Sequence, residues 1–237
     1  VQYREENGFE NVDDLLEHPA FGGRGDKMGG IKGLLDQNSS YFLLRAEVEG
    51  EKLTPVEIVA QCRLLLIAGN VTTTDLIGNG VKALLEHPEQ LRKLREKPEL
   101  IGNAVEEMLR YDSPVTNSGR IPNRDISIGG CPVAAGSSLS TSLAAANRDP
   151  AIYPDPDVFD IEREDTHHQS FGGGRHLCLG AHLARIEAQE AILGLLRRYP
   201  GLEQSDRGFV YHAIPSFRGM SEFWVRGGEA GRASPAQ

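Results

Sequence analysis

The chain has 237 residues, 39% of them hydrophobic, enough to bury a substantial core in one large domain. A formal net charge of -9 argues against the basic face that nucleic-acid phosphates require and leaves small molecules and proteins as the expected partners. No unbroken apolar run approaches the ~18 residues of a bilayer span, and three dispersed cysteines form no disulfide framework, so the expectation is a soluble, cytoplasmic protein without a membrane partner.

Over residues 1–50, FENVDDLLEHPAF suits a short helix, FGGRGDKMGG a flexible link and IKGLLDQNSSYFLLRAEVEG a second helix. Thr54, Pro55 and Glu57 then make a capping box with proline at the first helical position. A long helix starts there and runs to Pro88, about 50 Å at ~1.5 Å per residue. Its centre, LLLIAG, is apolar on every side and is expected to be buried on all faces. Gly69, Asn70 and the run Val71, Thr72, Thr73, Thr74 follow, poor helix formers that invite a kink or a widened turn.

Helices are next expected over PEQLRKLREK, ending before Pro98, and PELIGNAVEEMLRYD, ending before Pro114. DISIGGCPVAAGSSLSTSLA alternates and turns at Gly129-Gly130, a β-hairpin region. ANRDPAIYPDPDVFDIERED is a long irregular connection of a kind uncommon unless functional. After SFGGGRHLCLG a helix runs to about Arg198, followed by the strands GFVYHAI and EFWVRG and a tail from Gly227 expected to be disordered.

Of the three thiols, Cys62 and Cys131 read as small buried hydrophobes. Cys178 has different surroundings. If the helix begins there, free N–H groups and the helix dipole suit an anionic sulfur, and Arg175 and His176 add positive charge. Gly172, Gly173 and Gly174 let the preceding backbone turn sharply and lie close to a flat partner. That combination describes a metal ligand. Zinc on His176, Cys178 and His182 ranks well below haem, because structural zinc wants four ligands and only one thiol is offered.

Phe171, Gly174, His176, Cys178 and Gly180 fit F-x-x-G-x-(R/H)-x-C-x-G, and on these residues the chain resembles the cytochromes P-450, whose haem-ligand signature this is. AHLARIEAQ looks like their proximal helix. The resemblance extends to A-G-x-x-T-T at Ala68, Gly69, Thr72 and Thr73, to E-x-x-R at Glu107 and Arg110, and to NRDPAIYPDPDVFDIER, which carries Arg163. It implies a mainly α fold with small β-sheets and haem b as cofactor. Cys178 is then the axial ligand of the iron, whose thiolate favours O–O cleavage, with Phe171, Gly174 and Gly180 in the same cofactor-binding loop. His176 and Arg120 match positions that bind the haem propionates. Glu107, Arg110 and Arg163 form a buried structural network, the first two meeting through their spacing of three.

By the same resemblance Ala68 and Gly69 let dioxygen approach the helix, and Thr72 hydrogen-bonds it and helps relay protons. The family's usual acid beside that threonine is Val71 here. Proton supply then runs through Thr72 and water or through another group, so slow or uncoupled oxygen activation is expected, with hydrogen peroxide as an alternative oxidant. Ile67, Val115, Thr116, Ser216 and Phe217 match substrate-pocket positions.

The similarity runs from near Tyr41 to about Val225. It divides the chain into an N-terminal segment, 1–40, a haem-binding core, 41–226, and a tail, 227–237. This corresponds to the C-terminal half of an ordinary member, a P-450 fold truncated by the N-terminal helical portion that roofs the pocket, and exposed apolar surface would favour a homo-oligomer. The implied activity is a haem-thiolate monooxygenase hydroxylating a small hydrophobic organic substrate. Electrons would pass from NAD(P)H through ferredoxin reductase and ferredoxin to the Cys178 face, where Arg95, Arg175 and Arg185 supply positive charge. The alternative is a haem-binding sensor, carrier or electron-transfer protein that has lost oxygenation, favoured by Val71 and opposed by Thr72 and the intact ligand loop.

Overall fold

Thr54 starts the longest element of the protein. Its backbone N and Oγ1 both donate to Glu57 Oε2 at 2.8 Å, and Glu57 N donates back to Thr54 Oγ1 at 3.3 Å. This reciprocal cap satisfies two N–H groups that the first helical turn leaves without partners and is worth about 1 kcal/mol. The helix it opens, α1, covers the 32 residues Pro55–Glu86. The computed structural model describes residues 47–48, 51–164 and 166–227, so the expectations for residues 1–46 and for the tail beyond Gly227 lie outside the described residues.

Two compact units divide the chain, residues 1–68 and 69–237. In the first, β1 (Glu47–Val48) and β2 (Glu51–Lys52) pair antiparallel, Val48 opposite Glu51, where the sequence pattern suggests the end of a helix. The start of α1 follows. Its apolar centre is not buried: Leu64, Leu66 and Ile67 are 57%, 51% and 67% exposed. Apolarity on every side predicts burial only where something packs on every side, and no described element covers this turn.

No widened turn forms after it either. α1 stays α-helical through the Gly69 to Thr74 run, and Thr74 Oγ1 donates back to Asn70 O at 2.9 Å, so a threonine is absorbed by the helix's own carbonyl ladder. α1 also holds an 18-residue window of mean hydropathy 1.2. By length and composition α1 is therefore long and apolar enough to cross a membrane although it holds no unbroken apolar run of that length, because the average tolerates the glycine, asparagine and threonine interruptions. Its second half faces protein: Leu76, Val81, Ala83 and Leu84 are buried in a hydrophobic cluster.

That cluster organises the second unit. Pro88 opens α2 (Pro88–Glu96), whose Leu91 and Leu94, three apart, turn inward while Arg92 on the opposite face pairs with Glu89 and Glu96. A 3₁₀ turn (Pro98–Leu100) leads into α3 (Ile101–Tyr111), which buries Ala104, Val105, Met108 and Leu109. α1 and α3 approach closely at Gly80, where a Cβ would stand 2.5 Å from Met108 Sδ. Ala188, Ile192 and Leu196 of a later helix, α5 (Ala181–Arg198), complete the cluster with Phe159 and Ile161 of the irregular connection. Leu94 is wholly buried, and truncating it to alanine costs ~2–5 kcal/mol.

The β elements are two-stranded. β3 (Asn117–Arg120) pairs with β6 (Leu139–Ser142), and β4 (Ile126–Ile128) with β5 (Cys131–Val133). Gly129 and Gly130 at the β4–β5 turn have φ of 56° and 85°, the left-handed values that a tight hairpin demands of both central residues. β6 leaves this hairpin for β3, a long-range pairing that local alternation does not announce. Cys131 is exposed on the hairpin beside the turn, not buried as its residue type suggests, whereas Cys62 is buried. The short α4 (Leu143–Ala146), capped by Ser142 Oγ accepting from Ala145 N, precedes the irregular connection. β7 (Glu203–Tyr211) and β8 (Met220–Arg226) form the last antiparallel pair.

Candidate functional site

The loop ahead of α5 closes on itself. Cys178 N donates to Phe171 O at 2.9 Å, Gly172 N to Gln169 O at 2.8 Å and Leu177 N to Gly174 O at 3.2 Å, around a 3₁₀ turn at Gly174–His176. Gly172 and Gly174 have φ of 69° and 59°, which a side chain would strain. α5 begins at Ala181 rather than at Cys178, because Gly180 serves as its cap and the cysteine lies in the preceding turn. Ala181 N still donates to Cys178 O at 3.3 Å, tying that turn to the helix start.

The thiol is exposed, with Leu177 and Leu179 beside it 60% and 91% exposed. His176 and Arg175 are exposed on the same loop. His176, Cys178 and His182 do not gather into a metal-holding group of three, and no such group of His, Cys, Asp and Glu occurs among the described residues. A Cβ at Gly180 or at Gly69 would meet nothing within 4 Å. Packing within the described protein therefore does not account for either glycine.

Glu107, Arg110 and Arg163 meet. Arg110 donates from Nε to Glu107 Oε2 at 2.7 Å and from Nη2 to Oε1 at 2.8 Å, and Arg163 Nε donates to Oε1 at 3.3 Å. The remaining guanidinium hydrogens go to carbonyls of the irregular connection: Arg110 to Asn147, Pro156 and Val158, Arg163 to Pro154, Asp155 and Val158. Side chains of Glu107 and Arg110 are 0% exposed and Arg163 is 11% exposed. A segment without regular secondary structure is thus fixed by two cations that consume its backbone acceptors.

Asn147, wholly buried, links this network to the cysteine loop, a role that no local pattern around it signals. Its Nδ2 donates to Ser170 Oγ at 2.8 Å and its Oδ1 accepts from Gln169 N at 2.7 Å. Glu106, beside Glu107 on α3, is held by Arg185 at 2.6 and 2.8 Å and lies 3.2 Å from His168. Burial alone would raise its carboxyl, but hydrogen bonds and charge from His168 and Arg185 outweigh it and lower the pKa to about 2. Arg185 is therefore engaged internally, and the expectation that it serves as a docking cation is corrected. Arg95 and Arg175 remain exposed.

The predicted pocket residues of the second unit come together across the chain. Val115 bridges Phe217 antiparallel, Thr116 N donates to Ser216 O at 3.1 Å, and Thr116 Oγ1 to Pro215 O at 3.0 Å. Arg120 ends β3 with Nη1 donating to Ser118 Oγ at 2.5 Å and Gly119 O at 2.7 Å, its guanidinium folded over its own strand. Ile67 and Ala68 fall in the first unit, Gly69 and Thr72 in the second, all on α1. Thr72 is half-buried. Three residues on, Asp75 carries a buried carboxylate whose Oδ1 lies 3.4 Å from His212 Nε2 while Oδ2 has no hydrogen-bond partner. Burial pushes that carboxyl up, opposed by His212. An acid in an apolar helix face was the available signal for Asp75.

A helical core that presents one exposed thiol between leucines, on a glycine-dependent loop, has the layout of the haem-thiolate class. The family model for cytochrome P450 matches residues 30–209, and the chain belongs to the cytochrome P450 family. It is 51% identical over 177 residues to the biotin biosynthesis cytochrome P450 of Bacillus subtilis (strain 168), covering 75% of this chain and 45% of that one. A Bacillus megaterium cytochrome P450 solved with testosterone superposes at a TM-score of 0.79 and 35% identity, over 91% of this chain and 59% of the other. A cytochrome P450 solved with an acyl carrier protein bearing hexadec-9Z-enoic acid superposes at 0.72 and 40% identity, over 94% and 64%. The chain thus spans less than half the length of the Bacillus subtilis relative it matches. The fold is the mainly α cytochrome P450 fold with small sheets, and members carry haem b. The residues fit that group: an accessible sulfur on a loop closed by its own backbone hydrogen bonds, an apolar rim at Leu177 and Leu179, and a glycine with open space beside it at position 180.

Proposed function

We propose that this chain supplies the haem-binding part of a monooxygenase that inserts one oxygen atom of dioxygen into a C–H bond of a small hydrophobic organic substrate. The balance is one substrate C–H, one dioxygen, two electrons and two protons giving one alcohol and one water. The accessible Cys178 sulfur on its closed loop carries the reading. Haem b, held through that sulfur, supplies the oxygen chemistry when bound. Phe171, Gly174 and Gly180 shape the loop, and His176 and Arg120 are the cations offered to the propionates. Glu107, Arg110 and Arg163 hold the irregular connection in place and take no part in the chemistry.

Thr72 handles protons and the small residues Ala68 and Gly69 admit dioxygen, while Val71 offers no carboxylate. Hydrogen peroxide, which brings both oxygen atoms and protons, bypasses that deficit. Val115, Thr116, Ser216 and Phe217 form one surface of the substrate pocket. A steroid and a fatty-acyl chain are the ligands in the two solved relatives, and they support an extended apolar substrate here. NAD(P)H-derived electrons arrive through ferredoxin reductase and ferredoxin at a face including Arg95 and Arg175. The exposed Leu64 to Ile67 run supports self-association, and the setting we infer is cytoplasmic.

Val71 is the observation favouring the second reading, a haem-binding sensor, carrier or electron-transfer protein. The two are separated by loading the chain with haem, supplying hydrogen peroxide labelled with heavy oxygen, and analysing fatty-acid and steroid probes by mass spectrometry. Label in an alcohol product supports the monooxygenase. A thiolate-type ferrous carbon monoxide spectrum without oxygenated product, from either peroxide or ferredoxin-driven turnover, supports the second reading.

A further inference from the structure

Glu106 has no part in the chemistry proposed above, yet it stands where three segments meet. Its carboxylate receives two hydrogen bonds from Arg185 of α5, Nε to Oε1 at 2.6 Å and Nη2 to Oε2 at 2.8 Å. Oε2 also lies 3.2 Å from His168 Nε2 in the segment preceding the cysteine loop. The other ring nitrogen of His168, Nδ1, accepts from Ser170 N at 3.2 Å. That leaves Nε2 as the protonated nitrogen, so His168 donates to Glu106 even as a neutral imidazole.

Both partners of Glu106 touch the same ring. The Arg185 guanidinium lies 4.6 Å from the centroid of Phe171, and the His168 ring lies 5.7 Å from it. Phe171 O is the acceptor for Cys178 N. Arg185 is also within electrostatic reach of the cysteine: after the Glu106 hydrogen bond, burial and the Glu106 charge, the Cys178 sulfur contributes to holding the guanidinium protonated. One carboxylate thus fixes two groups that flank the phenylalanine supporting the sulfur-bearing turn, and it offsets the charge of the Arg185 guanidinium.

We infer that Glu106 is a positioning residue for the Cys178 sulfur, acting through Arg185 and His168 on Phe171. The inference rests on the reading of Cys178 as the haem ligand. A plain α3–α5 ion pair is the competing explanation, and it would contribute to stability without touching the iron. Losing Glu106 should loosen the loop and leave the Arg185 charge uncompensated near the sulfur. A nearby uncompensated cation favours the reduced iron, so the reduction potential should rise.

The test uses the full 237-residue chain loaded with haem. The unsubstituted chain is read first: a strongly red-shifted ferrous carbon monoxide Soret band establishes thiolate ligation, and its absence would count against the Cys178 reading itself. Glu106→Gln should then bind haem with unchanged far-ultraviolet circular dichroism. It should lose the red-shifted band in favour of the short-wavelength form roughly tenfold faster and show a higher ferric/ferrous potential. Glu106→Asp should restore part of both. Lower melting temperature with unchanged band lifetime and potential would overturn the inference and leave only an ion pair. Should Glu106→Gln fail to fold, Arg185→Lys decides by the same conversion of the band, since it keeps the charge while losing the fork against Glu106 and the planar contact with Phe171. An unconverted band in that variant overturns the inference.

Discussion

Arg110 grips Glu107 three residues earlier on α3 with two hydrogen bonds, 2.7 and 2.8 Å long, and neither side chain reaches solvent. Arg163 adds a second guanidinium to the same carboxylate at 3.3 Å. Glu107→Gln removes the one anion between two cations and should destabilise folding by ~3–5 kcal/mol, seen as a lower denaturation midpoint at unchanged slope. Lys93→Gln breaks an ion pair with the partly exposed Glu162 and should cost under ~1 kcal/mol. Equal costs would show that the network does not hold the irregular connection.

Cys178→Ser addresses the sulfur without disturbing the loop, because the bond to Phe171 O uses the backbone N of residue 178 and the side chain is exposed. Circular dichroism and thermal unfolding of the haem-free chain should be unchanged. The ferrous carbon monoxide complex should lose its strongly red-shifted band. A variant that keeps that band would place the iron's ligand elsewhere.

Acid should release Glu106. Its carboxyl falls from an ordinary value of 4.5 to about 2 in the folded chain, the donors Arg185 and His168 prevailing over burial. The folded value lies below the unfolded one, so the stability it supplies is complete above about pH 4.5 and disappears as the pH falls towards about 2. Urea midpoints of the original chain and of Glu106→Gln should converge through that window. Curves that stay parallel would exclude this carboxylate as the source.

The parts that were legible in the sequence are those whose partners lie a few residues away. Thr54 and Glu57 announce their cap, Gly129-Gly130 announces a hairpin, and Glu107 with Arg110 announces a helix pair, because spacing alone brings these groups together. Glu106 and Arg185 are 79 residues apart, so no local spacing reveals them. Asn147 reads as an ordinary polar residue before a proline-rich stretch, and only the fold places it between Arg110 and Ser170. Leu64 to Ile67 failed in the opposite sense: their apolarity is legible, but whether anything covers them is a property of the assembled structure. Motif resemblance supplied the long-range grouping of Val115 with Phe217 that periodicity alone lacked.

Gly80→Ala tests the close approach of α1 and α3. A Cβ at this position would meet Met108 Sδ at 2.5 Å and Ile192 Cδ1 at 3.4 Å, and Met108 is completely buried. With no room to swing aside, the methionine must shift its neighbours, at a cost of ~1–3 kcal/mol. Met108→Ala in the same chain should recover part of that cost in a double-mutant cycle, because the cavity it opens accepts the new methyl. Additive losses would show that the helices relax independently of this contact.

Val71 is 47% exposed on α1, one residue before Thr72, and brings no ionisable group to the site. If proton supply limits oxygen activation, reduced oxygen is released as hydrogen peroxide before the substrate is attacked. Val71→Glu adds a carboxylate beside the Thr72 hydroxyl and should raise product per NAD(P)H while lowering peroxide release in ferredoxin-driven turnover, with product formation ~100-fold faster, the lower end of the range for a positioned acid–base group. Peroxide-driven turnover should change little, since the peroxide carries its own protons. The unfolding free energy should stay within about 0.5 kcal/mol of the original, the substitution being on an exposed helical position. If ferredoxin-driven coupling and peroxide release both stay where they were, Thr72 receives its protons by a route that never depended on the neighbouring position.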